Sequence, residues 1–216
     1  MSDLFDTIGD GVPALEALAE GAVLLRGYAV EVAPALGREI GEIAAVAPFR
    51  HFETPGGHRM SAVMTNCGLA GWTSDRRGYR YAPCDPGTGA AWPVLPPAFL
   101  TLAGHAAAAA GFDGFVPDSC LINRYAPGAR LTLHQDRNER DFAAPIVSVS
   151  LGLPATFLFG GARRADRPQR VRLVSGDVAV WGGPARLAYH GIAPLADGVH
   201  PLTGACRLNL TFRRAL

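Results

Sequence analysis

Lysine is missing from this 216-residue chain: all 20 of its basic residues are arginine. A GC-rich coding preference accounts for the missing lysine but not for where the arginines fall. Residues 1–60 carry four arginines against nine acids, while residues 124–172 carry nine against four, under an overall charge of only +1. A basic central segment of planar guanidinium forks suits an anionic partner such as phosphate. Cysteine is sparse as well. Cys67, Cys84, Cys120 and Cys206 form no C-x-x-C pair and no dense framework, which excludes a disulfide scaffold and a thiolate zinc site and leaves buried free thiols as the expectation. No apolar run nears the roughly 20 residues of a membrane span; the alanine tract at 106–110, among the longest, has only five. The acidic start, Met1-Ser-Asp-Leu-Phe-Asp6, has no basic-then-apolar export layout. Hydrophobic residues make up 49% and charged residues 18%, which excludes a disordered chain. A soluble, cytoplasmic, monomeric protein with no membrane partner is expected.

The organisation reads as one domain over 1–216. Residues 1–48 look like a mixed N-terminal cap, with a strand at 22–28 and a helix at 34–47 carrying apolar residues at Leu36, Ile40, Ile43 and Ala44. Residues 49–96 are rich in glycine, proline, aromatics and arginine, the chemistry of turns around short strands, and read as a binding flap. A helix at 99–110 is stopped by Gly111. Short strands then follow at 119–125, 146–153, 155–159, 169–174, 177–181, 187–190 and 206–213, punctuated by Gly, Pro and Asp. The pattern predicts a mostly β, α+β fold: helices packed on a double-sheet jelly roll, with the flap over its mouth.

Three motifs carry chemistry. His134 and Asp136 are two apart on an extended segment, so their side chains share a direction. With a distant third ligand, for which His190 is a candidate, they would make the two-histidine, one-carboxylate set of non-haem Fe(II) oxygenases. His51, His58, His105 and His200 keep an ordinary structural or solvated reading. Arg207-Leu-Asn209-Leu-Thr211-Phe-Arg213 alternates strictly. It is either a half-exposed strand with its polar face in water or an inward face that needs an anion, and a dicarboxylate fits paired arginines. Asn123 and Tyr125 share a face at a strand end and offer hydrogen bonds to the same anion.

Taken together, Asn123-Arg-Tyr-Ala-Pro-Gly128, Leu133-His-Gln-Asp136, Ser148-Val-Ser-Leu-Gly152, Phe159-Gly-Gly161, Trp181-Gly-Gly183, Tyr189-His-Gly191 and Arg207-x-Asn209-x-x-x-Arg213 resemble the AlkB family of Fe(II)/2-oxoglutarate dioxygenases. Met64-Thr-Asn-Cys-Gly68 and Gly71-Trp72-Thr73 extend the resemblance upstream, through most of the chain. The resemblance implies that His134, Asp136 and His190 hold Fe(II). Arg207 and Arg213 would pair with the carboxylates of 2-oxoglutarate, helped by Asn123, Tyr125 and Asn209. It implies oxidative demethylation of 1-methyladenine and 3-methylcytosine in single-stranded or flipped-out DNA, or in RNA, with release of formaldehyde, succinate and CO2. Trp72 would stack on the base opposite the His134 ring, Tyr79 and Tyr81 would meet the sugar-phosphate backbone beside Arg76, Arg77 and Arg80, and Arg164 would touch base or phosphate. Packing within the flap is the plain alternative for Trp72, Tyr79 and Tyr81. One position departs from the pattern: where the family places an acid near the base's exocyclic amine, this chain has Asn138, followed by Glu139. Two other readings share some of these residues: a 2-oxoglutarate hydroxylase of an amino acid, protein or small molecule, and a non-catalytic metal-binding β roll that binds nucleic acid.

Overall fold

The computed structural model describes residues 14–216, so the acidic start and the first part of the expected cap lie outside the described residues. In chain order the elements are β1 (Leu15–Ala19), β2 (Ala22–Leu25), α1 (Ala33–Val46), β3 (Val63–Gly68), β4 (Gly71–Asp75), β5 (Gly78–Ala82) and α2 (Pro97–Ala109). Then come β6 (Ser119–Tyr125), β7 (Leu131–His134), β8 (Ile146–Gly152), β9 (Ala155–Phe159), β10 (Gln169–Leu173), β11 (Val178–Trp181), β12 (His190–Ile192) and β13 (Arg207–Arg213).

The strands form a seven-stranded sheet in the order β1-β2-β11-β8-β13-β6-β3, a four-stranded sheet in the order β10-β9-β12-β7, and the separate hairpin β4-β5. From β6 onward the chain passes back and forth between the two larger sheets, which gives the jelly roll that the sequence predicts. Strand β13 shows why the layers stack as they do. Its Leu210 and Phe212 are buried on one face among Leu36, Ile40, Phe99 and Ala103 of the two helices, with the Phe99 and Phe212 rings edge to face at 5.7 Å. Its Arg207, Asn209, Thr211 and Arg213 turn to the other face, between the sheets. Next to that polar strip, Phe157, Phe159 and Trp181 fill the space between the layers.

Both expected helices are present, shifted by one or two residues at their ends. Pro34 and Pro97 fall in the first turns, where no backbone donor is lost, and Gly111 takes a φ of +86° just beyond α2. Two boundaries move. The β1-β2 hairpin is not a cap, because β2 pairs with β11 and extends the larger sheet. The sequence of β1, LEALA, carries no strand alternation, which is why it escapes notice. Residues 63–68 are not flap either: β3 pairs along its whole length with β6 and buries Met64 through Cys67. β4 and β5 form a hairpin outside the two larger sheets, within the segment expected to be the flap. The strand expected at 187–190 begins at His190, because the chain is still leaving a 3-10 turn at 183–185. Of the four cysteines, Cys67 and Cys120 are buried as expected, whereas Cys84 is exposed and Cys206 half-buried. Among the described residues, no helix is long and apolar enough to cross a membrane.

Glycine at position 191 is required by packing. A Cβ there would lie 2.5 Å from the Leu131 carbonyl oxygen and 3.1 Å from the Thr132 carbonyl carbon, both backbone atoms of the neighbouring strand β7. Gly41, in α1, has open space around it. Gly191→Ala should therefore lower stability by about 1–3 kcal/mol through overpacking. Gly41→Ala should raise it by about 0.5–1 kcal/mol through helix propensity. Urea midpoints of the two variants check both signs.

Candidate metal and co-substrate site

The two histidines of the predicted triad meet across a strand pair. In the antiparallel register of β12 and β7, His190 lies directly opposite His134, and the ring centroids are 4.4 Å apart. Asp136 has left the end of β7, yet its carboxylate returns to the same point. Its Oδ1 lies 3.6 Å from His134 Nε2 and its Oδ2 lies 3.8 Å from His190 Nε2. Each ring's Nδ1 sits 3.0 Å from the carbonyl oxygen two residues earlier, Thr132 for His134 and Ala188 for His190. With Nδ1 donating there, Nε2 keeps its lone pair free and the ring orientation is fixed. One donor atom from each of the three residues falls within 4.8 Å of the others, and the two-imidazole, one-carboxylate chemistry suits ferrous iron.

Protonation favours metal binding. Burial, with the neighbouring His134, pulls the His190 pKa down to about 4; Trp181 packs 4.9 Å away, ring to ring. For Asp136, burial opposes ionisation, but the Arg213 guanidinium and the two histidines outweigh it and hold the carboxyl well below its ordinary range. Arg213 donates from Nε at 2.9 Å and from Nη2 at 2.7 Å to a single oxygen, Asp136 Oδ2. Near neutral pH, His190 is a neutral imidazole and Asp136 a carboxylate.

Beside the triad, the register of β13 against β6 and β8 sets Arg207 opposite Tyr125 and Asn209 opposite Asn123 and Ser150. Arg207 is 1% exposed. It donates from Nη2 to Ser150 Oγ at 2.9 Å and lies over the Tyr125 ring, and no acid pairs with it among the described residues. Its Nε and Nη1, the Tyr125 hydroxyl, Asn123 Oδ1 and Arg213 Nη1 are all buried without a hydrogen-bond partner. Burial without a counter-charge lowers the Arg207 pKa. A buried guanidinium in such surroundings is costly until an anion arrives, and a dicarboxylic acid supplies one. The donor set fits 2-oxoglutarate. Asn209 departs from its expected part: its amide donates to Ser148 Oγ and to the Val149 carbonyl, and its Oδ1 accepts from Thr211. It braces the wall instead of presenting free donors.

These groups line one cavity of about 870 Å³ that Trp72 and Tyr79 of the β4-β5 hairpin, Asn138 and Arg164 also line. Trp72 stacks on Tyr79 at 5.6 Å, and its Nε1 donates to Asn138 Oδ1 at 3.4 Å. Arg164 lies 5.5 Å over the Tyr189 ring. Tyr81 does not reach the cavity wall. Its hydroxyl donates to Glu139 beneath the flap, at 2.5 Å, so its expected place on the sugar-phosphate backbone is corrected: the β5 strand carries it inward, toward a buried carboxylate. Arg77 and Arg80 are turned back onto Asp75 at 3.1 and 2.7 Å, and Arg76 lies 3.8 Å from Glu53. Ser150 lies in the Ser148–Gly152 motif and Glu139 follows Asn138, but sequence reasoning assigned neither of them, nor Arg186, a contact at the site; tertiary pairing supplies it.

Residues 21–213 match the 2OG-Fe(II) oxygenase superfamily. The chain is 57% identical over 212 residues to the alpha-ketoglutarate-dependent dioxygenase AlkB of Escherichia coli K12, covering 98% of each chain. It belongs to the AlkB family. It is thus an Fe(II)/2-oxoglutarate-dependent dioxygenase. A more distant AlkB-type relative, the DNA N(6)-methyladenine demethylase ALKBH1D of Arabidopsis thaliana, is 42% identical over 110 residues, 45% of this chain and 24% of that one. The solved structure of OsALKBH1 superposes with a TM-score of 0.82 at 29% identity, covering 93% of this chain and all of that one.

The His190 shift makes stability depend on pH. Unfolded, an imidazole takes its proton near pH 6.5; folded, this one waits until about pH 4. Between those values the unfolded state binds more protons, so stability falls as pH falls. The melting temperature of the metal-free protein should decline from pH 6.5 toward pH 4, and His190→Asn should flatten that decline. Differential scanning fluorimetry across the pH range reads both.

Proposed function

We propose that this AlkB-family enzyme removes methyl groups oxidatively from alkylated bases of nucleic acid, with 1-methyladenine and 3-methylcytosine as substrates. In this reading His134, Asp136 and His190 hold Fe(II). Arg207, Tyr125, Asn123 and Arg213 bind the carboxylates of 2-oxoglutarate, with Asn209 bracing the wall behind them. When bound, iron and co-substrate supply the oxidation: dioxygen is consumed, 2-oxoglutarate becomes succinate and CO2, and the hydroxylated methyl group leaves the base as formaldehyde. The observation that carries the reading is the placement of the three-donor cluster and the uncompensated arginine in one cavity, under an aromatic flap.

The chain's own groups have distinct tasks. Arg207 and the buried Tyr125 hydroxyl, kept protonated by its burial, orient the co-substrate beside the metal position. Trp72 and the His134 ring both line the cavity, and in this reading the base stacks between them. A methylated base carrying positive charge gains from the aromatic face. Such a methyl is inaccessible in a stacked duplex, so the substrate is a single strand or a flipped-out base. In this reading Tyr79 and Arg164, which line the cavity, meet the base or its backbone, and Asn138, bonded to Trp72, faces the base from that side. Asn138 accepts a hydrogen bond from an exocyclic amine without adding charge, so it favours the cationic base less than an acid would. A monomer is its proposed oligomeric state. The cytoplasm, where bacterial DNA and RNA lie, is its proposed compartment.

Anaerobic addition of Fe(II) and 2-oxoglutarate should produce the weak visible charge-transfer band of the chelate. Admitting air with an oligonucleotide containing 1-methyladenine should then release formaldehyde, while free amino acids release none. His134→Ala should lose the band and turnover while leaving oligonucleotide binding mostly in place; turnover at the unaltered rate would remove His134 from the metal. In a separate comparison, Asn138→Asp should change the ratio of activity on 1-methyladenine to that on 3-methylcytosine by a measurable factor. An unchanged ratio would take Asn138 out of base discrimination.

A further inference from the structure

Behind the metal cluster lie two buried charges, Glu139 and Arg186, to which the reaction assigns no part. Glu139, three residues after Asp136, has a side chain only 1% exposed. Two arginines converge on it: Arg186 Nη2 at 3.1 Å and Arg213 Nε at 3.5 Å. Each of these arginines also grips Asp136. Arg213 holds the carboxylate, and Arg186 donates at 2.8 Å to the Asp136 backbone carbonyl, with a further bond to the Ala144 carbonyl at 3.0 Å. Asp136 is thereby fixed at both its main chain and its side chain by guanidinium groups that share Glu139. The remaining partner of Glu139 comes from the flap: the Tyr81 hydroxyl on β5.

We infer that Tyr81, Glu139 and Arg186 are positioning residues, a buried relay through which the flap hairpin sets the place of the metal-binding carboxylate. The physical reason is rigidity. Two acids and two arginines shielded from water have few alternative arrangements that leave no charge unpaired. A shift of the β4-β5 hairpin that carries Tyr81 must therefore move Glu139 with it or break the bond. Moving Glu139 shifts both arginines, and with them Asp136. The same Arg213 lines the cavity, and its Nη1 is buried without a partner, so the relay reaches that side too. Because the flap bears Trp72 and Tyr79, this arrangement mechanically links the surface that would receive the base to the atoms that hold iron.

The inference rests on the metal reading of His134, Asp136 and His190, and the test separates the two. Metal-stripped full-length protein is titrated with Co(II), a probe whose visible bands report ligand geometry and require no turnover. Tyr81→Phe should weaken Co(II) binding several-fold and shift the bands. Glu139→Gln keeps an acceptor for Tyr81 but removes the charge, and should weaken binding about tenfold, the lower range for groups that orient metal ligands. Ser74→Ala serves as the comparison, because it removes a different hydrogen bond of the same hairpin, to the Glu53 carbonyl. It should lower the melting temperature while leaving the Co(II) titration unchanged. If Tyr81→Phe does not fold, Glu139→Gln decides. Wild-type Co(II) behaviour in Glu139→Gln, or in a folded Tyr81→Phe, would overturn the relay, as would a Ser74→Ala effect as large as that of Tyr81→Phe. His134→Ala should abolish Co(II) binding; if it binds normally, the metal reading itself fails, whatever the other variants do.

Discussion

Arg213 and Asp136 form the contact on which the site depends. Two guanidinium N–H groups donate to one carboxylate oxygen, both residues are buried, and the pair joins the last strand of the fold to the loop that follows the first histidine. An isolated buried carboxylate would take up a proton and lose its value as a metal ligand. An isolated buried guanidinium would be a standing cost. Each removes the other's penalty, and the geometry that results points the second carboxylate oxygen at His134. Glu139 and Arg186 extend the same logic outward, so the charges behind the metal position are matched.

Arg207 stands in contrast. It is as deeply buried, but its surroundings supply hydroxyl, amide and ring contacts and no acid among the described residues. The protein carries this cost in the fold because the strand that exposes Arg207 to the cavity is the strand whose opposite face holds the helices. Alternation on β13 makes the two inseparable: Leu210 and Phe212 can pack against α1 and α2 only if the arginines turn inward. Core stability therefore secures the polarity of the pocket, and the bound anion offsets part of what that polarity costs.

The fold also explains why ligands scattered along the chain become neighbours. β7 and β12 are remote in sequence and adjacent in the smaller sheet, and the close backbone approach at Gly191 fixes which residues face each other. The aromatic packing of Phe157 and Trp181 against His190 keeps that ring dry and neutral. Metal-binding competence is thus a property of sheet register and of an apolar backing, as much as of the ligands themselves.

What the sequence determined by itself was whatever is written in local periodicity and close spacing. The two-residue step from His134 to Asp136, the strict alternation from Arg207 to Arg213, the prolines opening two helices and the turn chemistry of the flap all announced themselves, and with the AlkB-like motifs they named the family before any coordinate. Tertiary structure alone decided the rest. It joined β1, β2 and β3 to the larger sheet, because strand pairing is a non-local choice that residues such as Leu15–Ala19 do not reveal. It turned Tyr81 inward to Glu139, committed the Asn209 amide to β8, and gave Glu139 and Arg186 their place behind the metal. A side chain's partner is set by which strands meet in which register, and no window of neighbouring residues contains that information.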